Sequence, residues 1–132
     1  MARMKLAAIG LAALLAAAPA HAQNLGLGQR LFHAHCASCH GEDAQGKGWL
    51  SEYLTRRPAN LTLIAKKNGG AFPTDEVRAM VDGRHDVATH GPRDMPVWGE
   101  RYEYTLGGGS DPKGGAALRI DSLVEYLRTL QK

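Results

Sequence analysis

Apolar residues recur at helical spacing along this chain, most clearly near its end. Ile120, Leu123, Val124, Leu127 and Leu130 mark one face at i, i+3, i+4, i+7 and i+10, which predicts a helix over Ala117 to Leu130 with Tyr126 on its flank. Leu27, Leu31, Phe32 and Ala34 predict an earlier helix from about Asn24 to Ser38, with Asn24 as N-cap. Gly28 is costly inside that helix but permits another helix to come close. Phe32 lies four residues on, on the same face, and Tyr126 is the side chain expected to pack there. Between these two, Asn60 caps a short helix to Lys67 that buries Leu61 and Ile64 and stops at Asn68-Gly69-Gly70. Thr74 is the expected N-cap of a helix to about Asp82, with Asp75 and Glu76 at its positive end, Val77, Met80 and Val81 inward, and Gly83 ending it. Trp49, Leu50, Tyr53 and Leu54 suggest one helical turn, with Trp49 more naturally a core residue than a chemical one. Polar or glycine-rich stretches at Gly41–Gly48, Arg84–Arg93 and Leu106–Gly115 read as loops, the last exposed and lacking a phosphate-loop pattern. These elements predict an all-α domain.

The N-terminus reads differently. Arg3 and Lys5 precede an apolar run from Leu6 to Ala18, Pro19 is expected to break any helix, and Ala20-His21-Ala22 is a small-x-small cleavage pattern. The run has 13 residues, short of the roughly 20 that span a bilayer. Residues 1–22 are therefore expected to be a cleaved signal peptide, and residues 23–132 one domain with one core. The formal charge is +3, but removing Arg3 and Lys5 leaves 14 basic against 13 acidic side chains. No concentrated basic surface invites nucleic acid, and no stable membrane insertion is expected after cleavage.

Candidate chemistry centres on Cys36-Ala37-Ser38-Cys39-His40. Two cysteines three apart lie on neighbouring faces of a helical turn, so both thiols can add to the vinyl groups of one porphyrin. A histidine directly after the second cysteine can then ligate the iron. Two other uses remain open at this point. A redox disulfide wants a thioredoxin-like βαβ setting, and no run of β-branched residues precedes Cys36. A zinc site usually wants four ligands, and the chain holds no second cysteine pair. With both cysteines committed to haem, no structural disulfide is expected.

A thioether for the far side of the iron must come from Met80 or Met95 if the signal is removed. Met80 sits in a helical repeat, where methionine is usually a core filler. Met95 precedes Pro96, which pushes the backbone extended and can aim a side chain. Met95 is thus the expected distal ligand, with Trp98 walling the pocket. His85 or His90 is the rival ligand, although a lone loop histidine is ordinarily polar surface. His33 and His35 read as surface or packing residues. Trp49, Tyr53, Arg56 and Arg57 are candidates to meet haem propionates, with a solvated basic pair the preferred reading of the two arginines.

The chain resembles a small, exported, bacterial monohaem class I cytochrome c over nearly all of residues 23–132. The resemblance is carried by Gly28 and Phe32 in the first helix, the CASCH segment, Pro58, the MPVWG segment from Met95 to Gly99, and Tyr126 in the last helix. It implies one haem c joined to Cys36 and Cys39 by thioether bonds, with His40 proximal and Met95 distal. It also implies that the first and last helices cross while the others wrap the haem. The chain departs from the pattern in the glycine-rich stretch from Gly107. It also has only five lysines after residue 22, too few for the lysine-rich docking face of some mitochondrial relatives.

Filled axial positions imply a single-electron carrier, not an enzyme, working as a monomer between periplasmic redox donors and acceptors. No paired carboxylates or nucleophile–base pattern argues for separate catalysis. Two rivals remain: a dedicated haem subunit of a periplasmic dehydrogenase or oxidase, and a haem enzyme or gas sensor with a labile distal ligand.

Overall fold

The computed structural model describes residues 18–84, 95–106 and 109–132. Helix α1 spans Ala18–His35, so it begins ahead of Asn24. Pro19, expected to break any helix, lies within it, since the φ that its ring fixes is itself a helical one. Cys36 interrupts the helix for one residue before α2, Ala37–His40. Backbone bonds still bridge the break, with Cys36 N–H donating to Phe32 and His40 N–H to Cys36, both at 2.8 Å.

Trp49–Tyr53 forms a 3-10 turn, but Trp49 is 70% exposed and not a core residue. Leu61–Leu63 forms a second 3-10 turn that runs into α3, Ile64–Lys67. Asn60 caps it as expected, its Oδ1 accepting from the Thr62 N–H at 3.0 Å and the Thr62 hydroxyl at 2.7 Å. The tighter 3-10 winding turns Thr62 and Ala65 inward and leaves Leu61 and Ile64 half-buried. Helix α4 is Thr74–Asp82, ended by Gly83 in a left-handed conformation at φ 71°. Pro73 holds the N-cap position, so Thr74 is the first helical residue and its side chain makes no cap bond.

Helix α5 is the single turn Trp98–Glu100. It widens into a π-type turn over Arg101–Thr105, closed by the Leu106 N–H to the Arg101 carbonyl at 2.9 Å. Helix α6 runs Pro112–Thr129, starting five residues before Ala117. Asp111 caps it through the Gly114 N–H at 3.0 Å, and Pro112 suits its first turn. Cap and proline together offset the cost of Gly114 and Gly115, which composition alone assigns to the preceding loop.

The crossing of α1 and α6 is the main contact of the fold. A Cβ on Gly28 would lie 1.9 Å from the Ser122 carbonyl oxygen and 2.9 Å from the Tyr126 Cβ, so the helices touch backbone to backbone at that point, with the Tyr126 side chain beside it. The Phe32 and Tyr126 rings meet beside it, 5.6 Å apart. Phe32, Tyr102, Ile120, Leu123, Val124 and Leu127 form the centre of the core, with Val81 and Trp98 brought in from α4 and α5. Gln131 fastens the end of α6 to the 61–65 turn. Its Nε2 donates to the Leu61 and Leu127 carbonyls at 2.9 and 2.7 Å, and its Oε1 accepts from the Ala65 N–H at 2.9 Å. Among the described residues the fold is all-α, and no helix is long and apolar enough to cross a membrane.

Candidate haem site

The turn at the end of α1 presents Cys36, Cys39 and His40 together, all three half-buried and both cysteines as free thiols. Burial, followed by the neighbouring Cys39, pushes the Cys36 thiol up to about 12. The loop after the turn folds back against it. Gly46 N–H donates to the His40 carbonyl at 2.6 Å and Gly48 N–H to the Cys39 carbonyl at 3.0 Å. This return passage needs glycine at position 46, where φ is 80° and a Cβ would lie 2.4 Å from the Pro58 carbonyl. The loop then catches the 58–61 segment through the Leu61 N–H and the Ala44 carbonyl at 2.8 Å.

That packing sets the imidazole. His40 Nδ1 lies 3.0 Å from the Ala59 carbonyl oxygen. A carbonyl can only accept, so Nδ1 carries the proton and Nε2 keeps its lone pair. Burial holds the His40 pKa below the ordinary histidine range, with the bond to Ala59 acting in the opposite direction. A neutral, oriented imidazole with one nitrogen committed to a carbonyl is the form that ligates a metal.

Met95 is half-buried and packs on the same core as Cys36, Leu61, Phe72 and Val77. Met80, within α4, is also half-buried. His85 and His90 lie outside the described residues. His33 bonds Glu42, and His35 packs 5.4 Å from the Trp98 ring and 5.8 Å from that of Tyr102. Trp98 is 7% exposed and belongs to that aromatic group. Trp49 and Tyr53 stay exposed. Sequence reasoning missed Tyr102, which is fully enclosed with a hydroxyl that has no hydrogen-bond partner. Burial raises its pKa, and the charge of a Cys36 thiolate would add to the effect. It also missed the Ala59 carbonyl and Gln131.

The donor set suits haem better than a bare metal ion. Among the described residues no three His, Cys, Asp or Glu side chains converge on a point. One imidazole nitrogen, two thiols on adjoining faces and a shell of half-buried apolar side chains match a porphyrin with a single protein nitrogen on its iron. The unpartnered Tyr102 hydroxyl, in a core that also holds Cys36 at its edge, marks a polar atom the protein alone does not satisfy.

Comparison with known proteins agrees. Residues 23–104 match the model of the family described as cytochrome C oxidase, cbb3-type, subunit III. Cytochrome c-554(547) of Halothiobacillus neapolitanus is 46% identical over 44 residues, covering 32% of this chain and 48% of that protein. Polyvinylalcohol dehydrogenase of Sphingopyxis sp. (strain 113P3) is 29% identical over 87 residues, covering 59% of this chain and 13% of that protein. The chain thus spans about half the length of one of these relatives and a small part of the other. No solved structure matches. With its all-α fold and a family match over most of its length, the chain belongs to the cytochrome C oxidase, cbb3-type, subunit III family and is a monohaem class I cytochrome c.

Proposed function

We propose that the chain carries single electrons between redox partners outside the cytoplasmic membrane, on one haem c held by Cys36 and Cys39 with His40 and Met95 as axial ligands. The observation that carries this reading is the His40 Nδ1 contact to the Ala59 carbonyl on the same turn as both thiols. The haem supplies the one-electron chemistry. The chain's own residues supply rigidity: Cys36 and Cys39 tether, His40 is locked in one tautomer and orientation, and Met95 offers a soft thioether that favours the reduced state relative to harder ligands. With both positions filled, no iron site is left for a substrate.

A second reading has an observation behind it. The matched family is named for an oxidase subunit, and a much larger dehydrogenase resembles this chain over 13% of its own length. A permanent place beside a dehydrogenase or oxidase would use the same site chemistry with a fixed partner. Purification separates the two, since a free monomer that exchanges electrons with several partners supports the carrier.

Spectra test the ligand set. The oxidised protein is expected to show the near-infrared charge-transfer band of methionine ligation, lost in Met95→Ala. Cys36→Ala should retain at most one thioether in a pyridine haemochrome assay, and His40→Ala should give no stable low-spin holoprotein. Absence of the band in the parent at neutral pH, or rapid carbon monoxide binding to its reduced form, would overturn the Met95 assignment.

A further inference from the structure

A cluster of charge outside the haem contacts joins the two ends of the segment that leads to Met95. Arg84 follows α4. Its Nε and Nη2 bond the two Asp82 carboxylate oxygens at 2.7 and 2.8 Å, and its Nη1 bonds Glu103 Oε2 at 2.6 Å. The Glu103 side chain is only 4% exposed, although it lies in the π-type turn that carries the chain away from Met95. A carboxylate buried to that degree is tolerated when it is paired. The α5 backbone crosses directly over the cluster. A Cβ on Gly99 would lie 2.5 Å from both the Arg84 Nε and the Asp82 Oδ1, so this approach requires glycine.

The placement has a consequence for the distal ligand. The chain leaves α4 at Arg84, returns at Met95 and continues into Trp98–Thr105. The Arg84 guanidinium therefore cross-links the stem before Met95 to the stem after it. Tying the stems together lowers the entropic cost of holding the methionine between them in one place. A planar fork bonded on three of its nitrogens also sets an orientation that a point charge would not.

We infer that Asp82, Arg84 and Glu103 form a clasp that positions Met95 for the iron, acting through the two stems and not by touching the haem. This rests on the Met95 ligation proposed above. Asp82, Arg84 and Glu103 are positioning residues, and their removal loosens the thioether while leaving the haem attached.

Competition at the iron tests the clasp. The oxidised holoprotein is titrated with imidazole while the near-infrared methionine band is followed. Glu103→Gln is expected to lower the half-displacing imidazole concentration about tenfold, the effect of losing one charge-assisted bond, and Arg84→Gln, which loses all three, at least as much. Arg84→Lys, which keeps the charge without the fork, should recover only part of the difference. If Arg84→Gln does not accumulate as holoprotein, Glu103→Gln and Arg84→Lys carry the same comparison. Asp111→Ala serves as a control, because it weakens the α6 cap, whose bond to the Gly114 N–H involves no clasp residue, and should leave the imidazole concentration at the parent value. Parent-like values in both clasp variants, or an equal fall in Asp111→Ala, would overturn the clasp. A band that survives in Met95→Ala overturns the ligation reading instead, so the two failures are distinguishable.

Discussion

The His40 imidazole owes its tautomer to a backbone oxygen 19 residues away. The Ala59 carbonyl commits Nδ1 and leaves Nε2 available, and nothing about an alanine in the sequence announces that role. Any residue type can supply a carbonyl, so only the fold of the 58–61 segment identifies it. The CASCH segment stood out as a candidate site because Cys36, Cys39 and His40 lie within five residues and need only one helical turn to come together. His35 was expected to be a packing or surface residue, and it packs against Trp98 and Tyr102. Burial, followed by the Arg101 charge, holds its pKa below the ordinary value. The folded state therefore favours neutral His35, while the unfolded chain takes up a proton below about pH 6.5. Stability is lost as pH falls from that value through the lowered one. Thermal unfolding of the holoprotein at pH 7 and pH 5 should show a smaller acid-side loss in His35→Phe than in the parent. Equal losses would mean that His35 is not held neutral by the fold.

Helices α1 and α6 were the most readable elements because each shows an apolar face at helical spacing. Their ends were less readable. The Asp111 cap and Pro112 pulled the start of α6 back through two glycines, and α1 ran through Pro19. Helix propensity cannot anticipate such terminal effects when a cap or a first-turn position overrides it. Gly28 shows the same conflict inside a helix. Alanine there would improve propensity by up to about 1 kcal/mol, yet its Cβ would strike the Ser122 carbonyl at 1.9 Å. Overpacking of that kind typically costs about 1–3 kcal/mol. Denaturant unfolding should therefore find Gly28→Ala less stable than the parent despite its better helix former. A gain in stability would show that the helix backbones do not meet at that point.

The whole chain presents a tension at its start. Helix α1 runs across the Ala22–Gln23 bond where the signal is expected to be cut. A peptidase acts on an extended chain, so a cut at that bond would have to precede the folding of that part of α1. Intact-mass measurement of the exported holoprotein should find residues 23–132 plus one haem. A mass that retains residues 1–22 would mean an uncleaved N-terminal segment. The Gly28–Tyr126 crossing lies downstream of that bond, so a cut there would leave the core residues in the chain.

Local chemistry was readable wherever the participating residues are neighbours in the chain or repeat at a helical period. The turn that gathers Cys36, Cys39 and His40, the two long helices, the Asn60 cap and the glycine stop at Gly83 all belong to that class. Contacts between distant residues depended on the fold. The Ala59 carbonyl over His40, the Gln131 fastening, the buried Tyr102 hydroxyl and the Asp82–Arg84–Glu103 clasp join positions that sequence spacing does not relate. A single turn orders its own side chains through short-range geometry, whereas these contacts exist only after helix packing has spent the entropy needed to bring remote segments together.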